Sequence, residues 1–204
     1  SVVTSGYLGV ANTGILDALP TRVILTSGQT ARLYSQYNET SYADFERAQA
    51  ATFGGFRPRL PEDGKVLDIT LRPSSDGSNP LSFAGAALFD GAKGGIDGTL
   101  IIRPSFTTTG PAVLDITAPG VTPIAGHVSI SSADINAFKA PTLLLGGTSV
   151  YFTDDNPGAG AKIYFDGSST ASVNLLDGTI VSAGQVFLVG NTINIASGAT
   201  VDTR

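Results

Sequence analysis

The sequence has no cysteine and no methionine among its 204 residues. Without cysteine the chain has no disulfide framework, no thiolate nucleophile and no cysteine-based zinc site. This absence is compatible with export through a bacterial periplasm, and it also fits many cytosolic proteins. Because methionine is absent, Ser1 is not a natural start, and we expect the chain to be a fragment or a processed piece of a longer protein.

Charged side chains and long apolar runs are also scarce. Charged residues make up 14% of the chain and the net charge is -5; an average soluble domain has roughly 25%. The acidic balance argues against a nucleic-acid partner and disfavours anionic membranes, because both would repel it. No run of about 18 apolar residues and no basic segment before an apolar one is present. The sequence therefore predicts no membrane insertion, and a secretion signal would have to be encoded elsewhere.

What the sequence has in quantity is short apolar segments separated by Gly, Asn, Asp and Ser, most clearly in residues 171–204. Each segment is too short for a helix and alternates like a strand, while the separators favour turns. The turn at Gly178 recurs at Gly198, an offset of 20 residues. A fixed period of this size is typical of a solenoid, in which parallel strands of successive coils lie about 4.8 Å apart. We therefore predict an all-β fold, a parallel β-helix.

Two more pairs of segments have offsets near twice this period. Val66-Leu67-Asp68-Ile69-Thr70 returns, unchanged, 47 residues later as residues 113–117. The segment Leu143–Val150 is similar in character to Val186–Ile193, at an offset of 43 residues. These pairs predict that residues 1–204 form a single β-helix domain.

One stretch, residues 34–64, departs from this pattern and is predicted to be an irregular or partly helical insertion. Thr40 or Ser41 is placed to cap a helix that runs through Ala51 and ends at Gly54-Gly55. Two interpretations remain open for it. It is either a lid that buries its aromatic side chains against the strands or a binding loop.

The insertion also holds the residues that a glycan-binding site would need. Sugar rings stack on tyrosine, and sugar hydroxyls bind asparagine and arginine. We expect any ligand of this chain, a glycan or another component of a host or neighbouring cell surface, to bind here. The candidate ligand-binding residues are Tyr34, Tyr37, Asn38, Tyr42 and Arg47.

Two segments suggest a family. Residues 126–148 read GHVSISSADINAFKAPTLLLGGT, and residues 173–201 read VNLLDGTIVSAGQVFLVGNTINIASGATV. They resemble the C-terminal-region repeats of large filamentous-haemagglutinin-like exoproteins of the two-partner-secretion type. The resemblance covers about the last 80 residues well. It implies a right-handed β-helix from a secreted or surface-exposed bacterial protein, exported by an outer-membrane transporter and used in adhesion, biofilm formation or contact-dependent competition. It supplies no catalytic motif.

The alternative is a carbohydrate-active β-helix enzyme, a polysaccharide lyase or hydrolase, or a tailspike-like glycan-binding protein. Such enzymes need clustered carboxylates, and Asp68 and Asp115 are the candidates, about 9–10 Å apart if the repeats align two coils apart. An outward, solvated strand position is the simpler interpretation of both. His127, the only histidine, lacks the partners of a triad, and Asp154–Asn156 lacks the ligand spacing of a calcium loop. We therefore predict no catalytic residues, no metal site, no cofactor and no enzymatic activity.

Overall fold

Three helices and fourteen strands form in the part of the chain that the computed structural model describes, namely residues 2–33, 40–78, 80–153 and 161–203. They belong to two compact units, Ser1–Asp44 and Phe45–Arg204. The helices are α1 (Gly28–Arg32), α2 (Tyr42–Phe53) and α3 (Ser132–Ala137). The strands are β1 (Val2–Gly6), β2 (Thr21–Leu25), β3 (Val66–Leu71), β4 (Thr99–Pro104), β5 (Ala112–Thr117), β6 (Val128–Ser131), β7 (Thr142–Leu145), β8 (Thr148–Thr153), β9 (Ala161–Asp166), β10 (Thr170–Leu175), β11 (Ile180–Ser182), β12 (Gln185–Leu188), β13 (Thr192–Ile195) and β14 (Thr200–Asp202).

The first unit, Ser1–Asp44, is built on one antiparallel pair of strands. β1 pairs with β2 from Val2 opposite Leu25 to Gly6 opposite Thr21. The short helix α1 follows, and Ser27 caps it by accepting a hydrogen bond from the Thr30 amide at 3.2 Å. No residue of this unit whose burial the structure describes is buried.

The second unit, Phe45–Arg204, contains two four-stranded parallel sheets. The first parallel sheet has the strand order β12-β7-β4-β3, and the second has the order β13-β10-β5-β6. Both sheets contribute side chains to one apolar core, which includes Leu100 and Leu145 from the first and Leu114 and Val173 from the second. The smaller sheets are the parallel pair β11-β14 and the antiparallel pair β8-β9.

The predicted all-β, right-handed parallel β-helix is wrong. The fold is mixed, with helices, with parallel and antiparallel sheets, and with none of the sheets closed or solenoid-like. In a solenoid each sheet adds strands in chain order, but β6 lies on the side of β5 that is away from β10. Chain order is therefore broken in the second parallel sheet. Residues 81–89 form no strand.

The offsets on which that prediction depended have different outcomes. The 20-residue offset is confirmed locally, since Val173 pairs with Ile193 and Ile180 pairs with Thr200, each in parallel register. The 43-residue offset is confirmed as well, because Leu143 pairs with Val186. The identical segments at residues 66–70 and 113–117, however, lie in different sheets. Identical sequence therefore did not place them as successive layers of one sheet.

Helix α2 forms where its local signals predict it. Ser41 accepts a hydrogen bond from the Asp44 amide at 3.1 Å and donates to the Asp44 carboxylate at 2.7 Å, which is a capping interaction at the N-terminus. Gly54, with a φ of 64°, ends the helix in the left-handed conformation that glycine adopts without strain. The helix lies inside the predicted insertion, residues 34–64.

Helix α3 protects one strand edge. The Asn136 amide donates to the Ile180 carbonyl at 2.8 Å, and its carbonyl oxygen accepts from the Ser182 amide at 3.0 Å. One side chain therefore occupies the backbone groups of β11 that the parallel partner β14 leaves unpaired. Edges without such cover offer their backbone groups to other strands.

Candidate functional site

The structure describes two of the five predicted ligand-binding residues. Tyr42 is the first residue of α2, and its side chain is exposed. Arg47 lies one turn further along the helix and pairs with Glu62, while its Nη2 also donates to the Gly94 carbonyl at 3.2 Å. The remaining three, Tyr34, Tyr37 and Asn38, lie outside the described residues, as does Asp154–Asn156.

Arg47 therefore has a positioning role in addition to any contact with a ligand. Glu62 and Gly94 belong to segments that are hydrogen-bonded to each other, through the Ala92 amide and the Glu62 carbonyl at 2.7 Å. The interactions of one arginine thus join the helix to both segments. Its sequence neighbours gave no indication of this, because its partners lie 15 and 47 residues away.

The segment after α2 is anchored by an ion pair between the partly buried Arg57 and the buried Asp63. Both terminal nitrogens of Arg57 donate to the Asp63 carboxylate, at 2.7 and 2.9 Å. The same carboxylate accepts from the Leu60 amide at 2.7 Å and the Ile96 amide at 2.8 Å. The Arg57 side chain, followed by these amides, holds the pKa of Asp63 well below its usual range although burial opposes the shift. Sequence analysis identified this segment only as the end of the insertion.

Aromatic side chains remain exposed on α2 and just beyond it. Phe45 and Phe53 are both 50% exposed, and Phe56, just beyond the helix, is 66% exposed. Phe45, Gln49 and Phe53 are spaced by four residues, so they follow one another along one side of α2. We call these three residues the aromatic stripe. A lid that buries its aromatic side chains is therefore not what the described part of the insertion forms.

A row of polar side chains crosses the second parallel sheet. His127 Nδ1 lies 2.6 Å from Asp115 Oδ2, and Asp115 is only 1% exposed. Asn174 donates its amide to the other Asp115 oxygen at 2.7 Å, and Asn194 donates to the Asn174 carbonyl oxygen at 2.8 Å. We call these four residues the polar row. The row follows from the register of the strands, in which Asp115 on β5 pairs with Asn174 on β10, and Asn174 pairs with Asn194 on β13.

The two carboxylates that the enzymatic alternative required do not share a groove. Asp68 lies on β3 of the first parallel sheet and pairs with Arg103, with 3.1 Å between Nε and Oδ1. Asp115 is buried in the second parallel sheet within the polar row. The outward, solvated position that the sequence favoured for both is confirmed for Asp68, which is exposed although it pairs with Arg103. It is wrong for Asp115, which is buried. His127 is partly exposed and belongs to the polar row through its contact with Asp115.

An apolar groove of about 400 Å³ lies beside β3, the edge strand of the first parallel sheet. Phe83 and Phe138 stack in it with ring centroids 3.7 Å apart, and the buried Phe89 lies next to them. Val66 and Leu67 line the side formed by β3, and Lys65 is the charged residue of the lining. The groove can accept an apolar side chain.

No three histidine, aspartate or glutamate side chains among the described residues are grouped so that they could hold a metal ion. None of the described helices is both long and apolar enough to cross a membrane.

No protein-family model, curated protein or solved structure matches this chain.

Proposed function

We propose that this chain is a non-catalytic adhesive and structural module of a large bacterial exoprotein that is secreted or displayed on the outer cell surface. The observation that carries the proposal is the aromatic stripe, in which two phenylalanine rings stay half exposed on a helix that the Arg47–Glu62 ion pair holds in place. The resemblance of residues 126–148 and 173–201 to exoprotein repeats supports it. Export of the parent protein by an outer-membrane transporter is part of the same proposal.

The mechanism is contact between sugar rings and exposed aromatic rings. Phenylalanine offers an apolar face to the C–H groups of a pyranose, and the Gln49 carboxamide between the rings offers a donor and an acceptor to sugar hydroxyls. A rigid helix keeps the rings in place before the ligand arrives, which lowers the entropic cost of binding. The partner is therefore a glycan of a host or neighbouring cell surface.

The test measures binding of the purified chain to immobilised glycans and to whole cells. The double variant Phe45→Ala/Phe53→Ala should bind at least about fivefold more weakly, since each aromatic contact contributes on the order of 0.5–1.5 kcal/mol beyond its buried area. Phe106→Ala is the matched control, because Phe106 is 60% exposed elsewhere in the same unit. Equal binding by the wild type and the double variant would exclude the aromatic stripe as the binding surface.

The same glycans serve to test the enzymatic alternative. Incubation with the wild-type chain, followed by chromatography of the products, should leave the polysaccharides intact. Shortened products that disappear in an Asp68→Asn or an Asp115→Asn variant would replace adhesion with glycan cleavage as the function.

A further inference from the structure

Strand β13 repeats the apolar positions of β10 without the burial. Val173 and Leu175 on β10 pair in register with Ile193 and Ile195 on β13. The β10 residues are 0% and 1% exposed, whereas the β13 residues are 45% and 54% exposed. Side chains of the same kind in the same register are therefore covered in one layer and uncovered in the next.

The backbone of β13 has no described strand paired with it on the side that faces away from β10. Among the described residues β13 is the edge strand of its sheet. The Ala196 amide donates to the Leu175 carbonyl at 2.9 Å, so residues 192, 194 and 196 turn their backbone groups toward β10. Because successive residues of a strand alternate, the backbone N–H and C=O groups of Ile193 and Ile195 point away from β10. An arriving strand would find both donors and acceptors there.

The hydrogen bonds of the polar row all run in one direction and end at this edge. Each asparagine amide in the row donates toward Asp115, first from Asn174 and then from Asn194. The Oδ1 atom of Asn194 is left as the acceptor at the end of the row, and no described residue donates to it. A side chain that continues the row must therefore be a donor.

We propose that β13 binds an extended protein segment that runs parallel to it and carries the sequence apolar–Asn–apolar. The asparagine amide of the segment donates to Asn194 Oδ1, and its two apolar side chains cover Ile193 and Ile195. Its backbone completes the hydrogen bonds that these two isoleucines leave unpaired. β10 and β13 have this sequence themselves, as Val173-Asn174-Leu175 and Ile193-Asn194-Ile195.

The chemistry excludes an aspartate at the central position, because an ionised carboxylate is an acceptor only and would face the Asn194 acceptor. It also disfavours a second copy that uses its edge strand β3 or β6. The edge strand β3 carries Asp68 at the equivalent position, and the edge strand β6 carries Ser129, which is 1% exposed. A second copy that used β13 itself would have to pair antiparallel about a two-fold axis, whereas this sheet is parallel throughout.

The test titrates a synthetic peptide with the sequence of residues 191–203 into the full, isotope-labelled chain and follows the isoleucine methyl and asparagine amide signals by NMR. We expect saturable shifts at Ile193, Ile195 and Asn194. The matched control is the same peptide with Asn194→Asp, which should bind at least tenfold more weakly. On the protein side, Ile193→Lys should abolish the shifts while the methyl signals of the fully buried Ile102 and Ile130 stay unchanged and report an intact fold.

Three results would overturn the proposal. The first is no shift at β13 at millimolar peptide, and the second is equal binding of the asparagine and aspartate peptides. The third is reversible self-association of the chain alone in sedimentation, lost in the Ile193→Lys variant, which would make a second copy the occupant of the edge.

Discussion

The two units of this protein have a similar supply of apolar residues and use them differently. In Ser1–Asp44, Val2, Ile15, Leu16 and Ile24 are each 60% exposed or more. In Phe45–Arg204, residues of the same types, such as Leu114, have no exposed surface at all. Apolar content therefore does not by itself make a core.

The difference lies in the number of layers. A single two-stranded ribbon such as β1-β2 has nothing of its own to place over its apolar side chains, and such hairpins are at best marginally stable alone. The second unit has two four-stranded sheets whose side chains meet in one core. Its stability should therefore respond to substitutions that leave the first unit unaffected.

The largest effect is expected from a matched pair of leucine truncations. Leu114→Ala removes a fully buried side chain from the centre of β5 and should lower the free energy of unfolding of the second unit by about 2–5 kcal/mol. Leu16→Ala, at a residue that is 63% exposed in the first unit, should change it by less than about 0.5 kcal/mol. Urea denaturation followed by far-ultraviolet circular dichroism measures both. A similar loss from both variants would show that Leu16 is buried in solution.

The next effect concerns the ion pair between Arg57 and the buried Asp63. Arg57→Ala leaves the Asp63 carboxylate, which is 7% exposed, without its charged partner. This should cost about 3 kcal/mol, as breaking buried pairs does. Arg22→Ala is the control, because Arg22 is an exposed arginine on β2 of the first unit. If the two arginine variants are equally stable in urea, the Arg57–Asp63 pair does not hold the segment after α2.

Sequence predicted the parts of this molecule that depend on neighbours in the chain. Ser41 and Gly54 gave the start and end of α2, because a cap and a left-handed glycine are local interactions. The turns at Gly178 and Gly198 gave the pairing of β10 with β13 for the same reason, since one short repeat connects them. Strand order was not predictable in this way. Nothing in the segment Val113–Thr117 indicates that β6 will lie on one side of β5 and β10 on the other.

The candidate site was predicted to a similar extent. The amino-acid composition of residues 34–64 led us to predict the ligand-binding residues there. Tyr42 and Arg47 do lie on the helix that forms in this stretch. The exposure of the aromatic rings and the partners of Arg47 depend on segments far along the chain, so no local pattern contained them. A spacing of four residues from Phe45 to Gln49 to Phe53 was the available signal for the aromatic stripe.

Acid should weaken the second unit through Asp63. The pKa of this carboxyl is lowered in the folded chain, so its contribution is fully present above the ordinary aspartate value of about 3.9 and is lost as the pH falls below it. Unfolding in urea at about pH 6 and about pH 3 should show a smaller loss in Asp63→Asn than in the wild type. Some loss should remain in the variant, because hydrogen bonds from Ser74 and Ser78 lower the pKa of Asp76 to about 2. Equal losses in the two proteins would mean that Asp63 does not couple stability to pH.

The smallest effect compares two serine caps, one in each unit. Ser131 caps α3 by accepting from the Ala133 amide at 3.2 Å, and Ser27 caps α1 by accepting from the Thr30 amide at the same distance. Ser131→Ala should lower the unfolding free energy of the second unit by about 1 kcal/mol, because α3 is part of its core through Ile135. Ser27→Ala should leave that free energy unchanged, since no α1 residue whose burial the structure describes is buried. The two hydrogen bonds have the same length, so a difference between the variants reports packing alone, and equal losses would show that α1 is as firmly packed as α3.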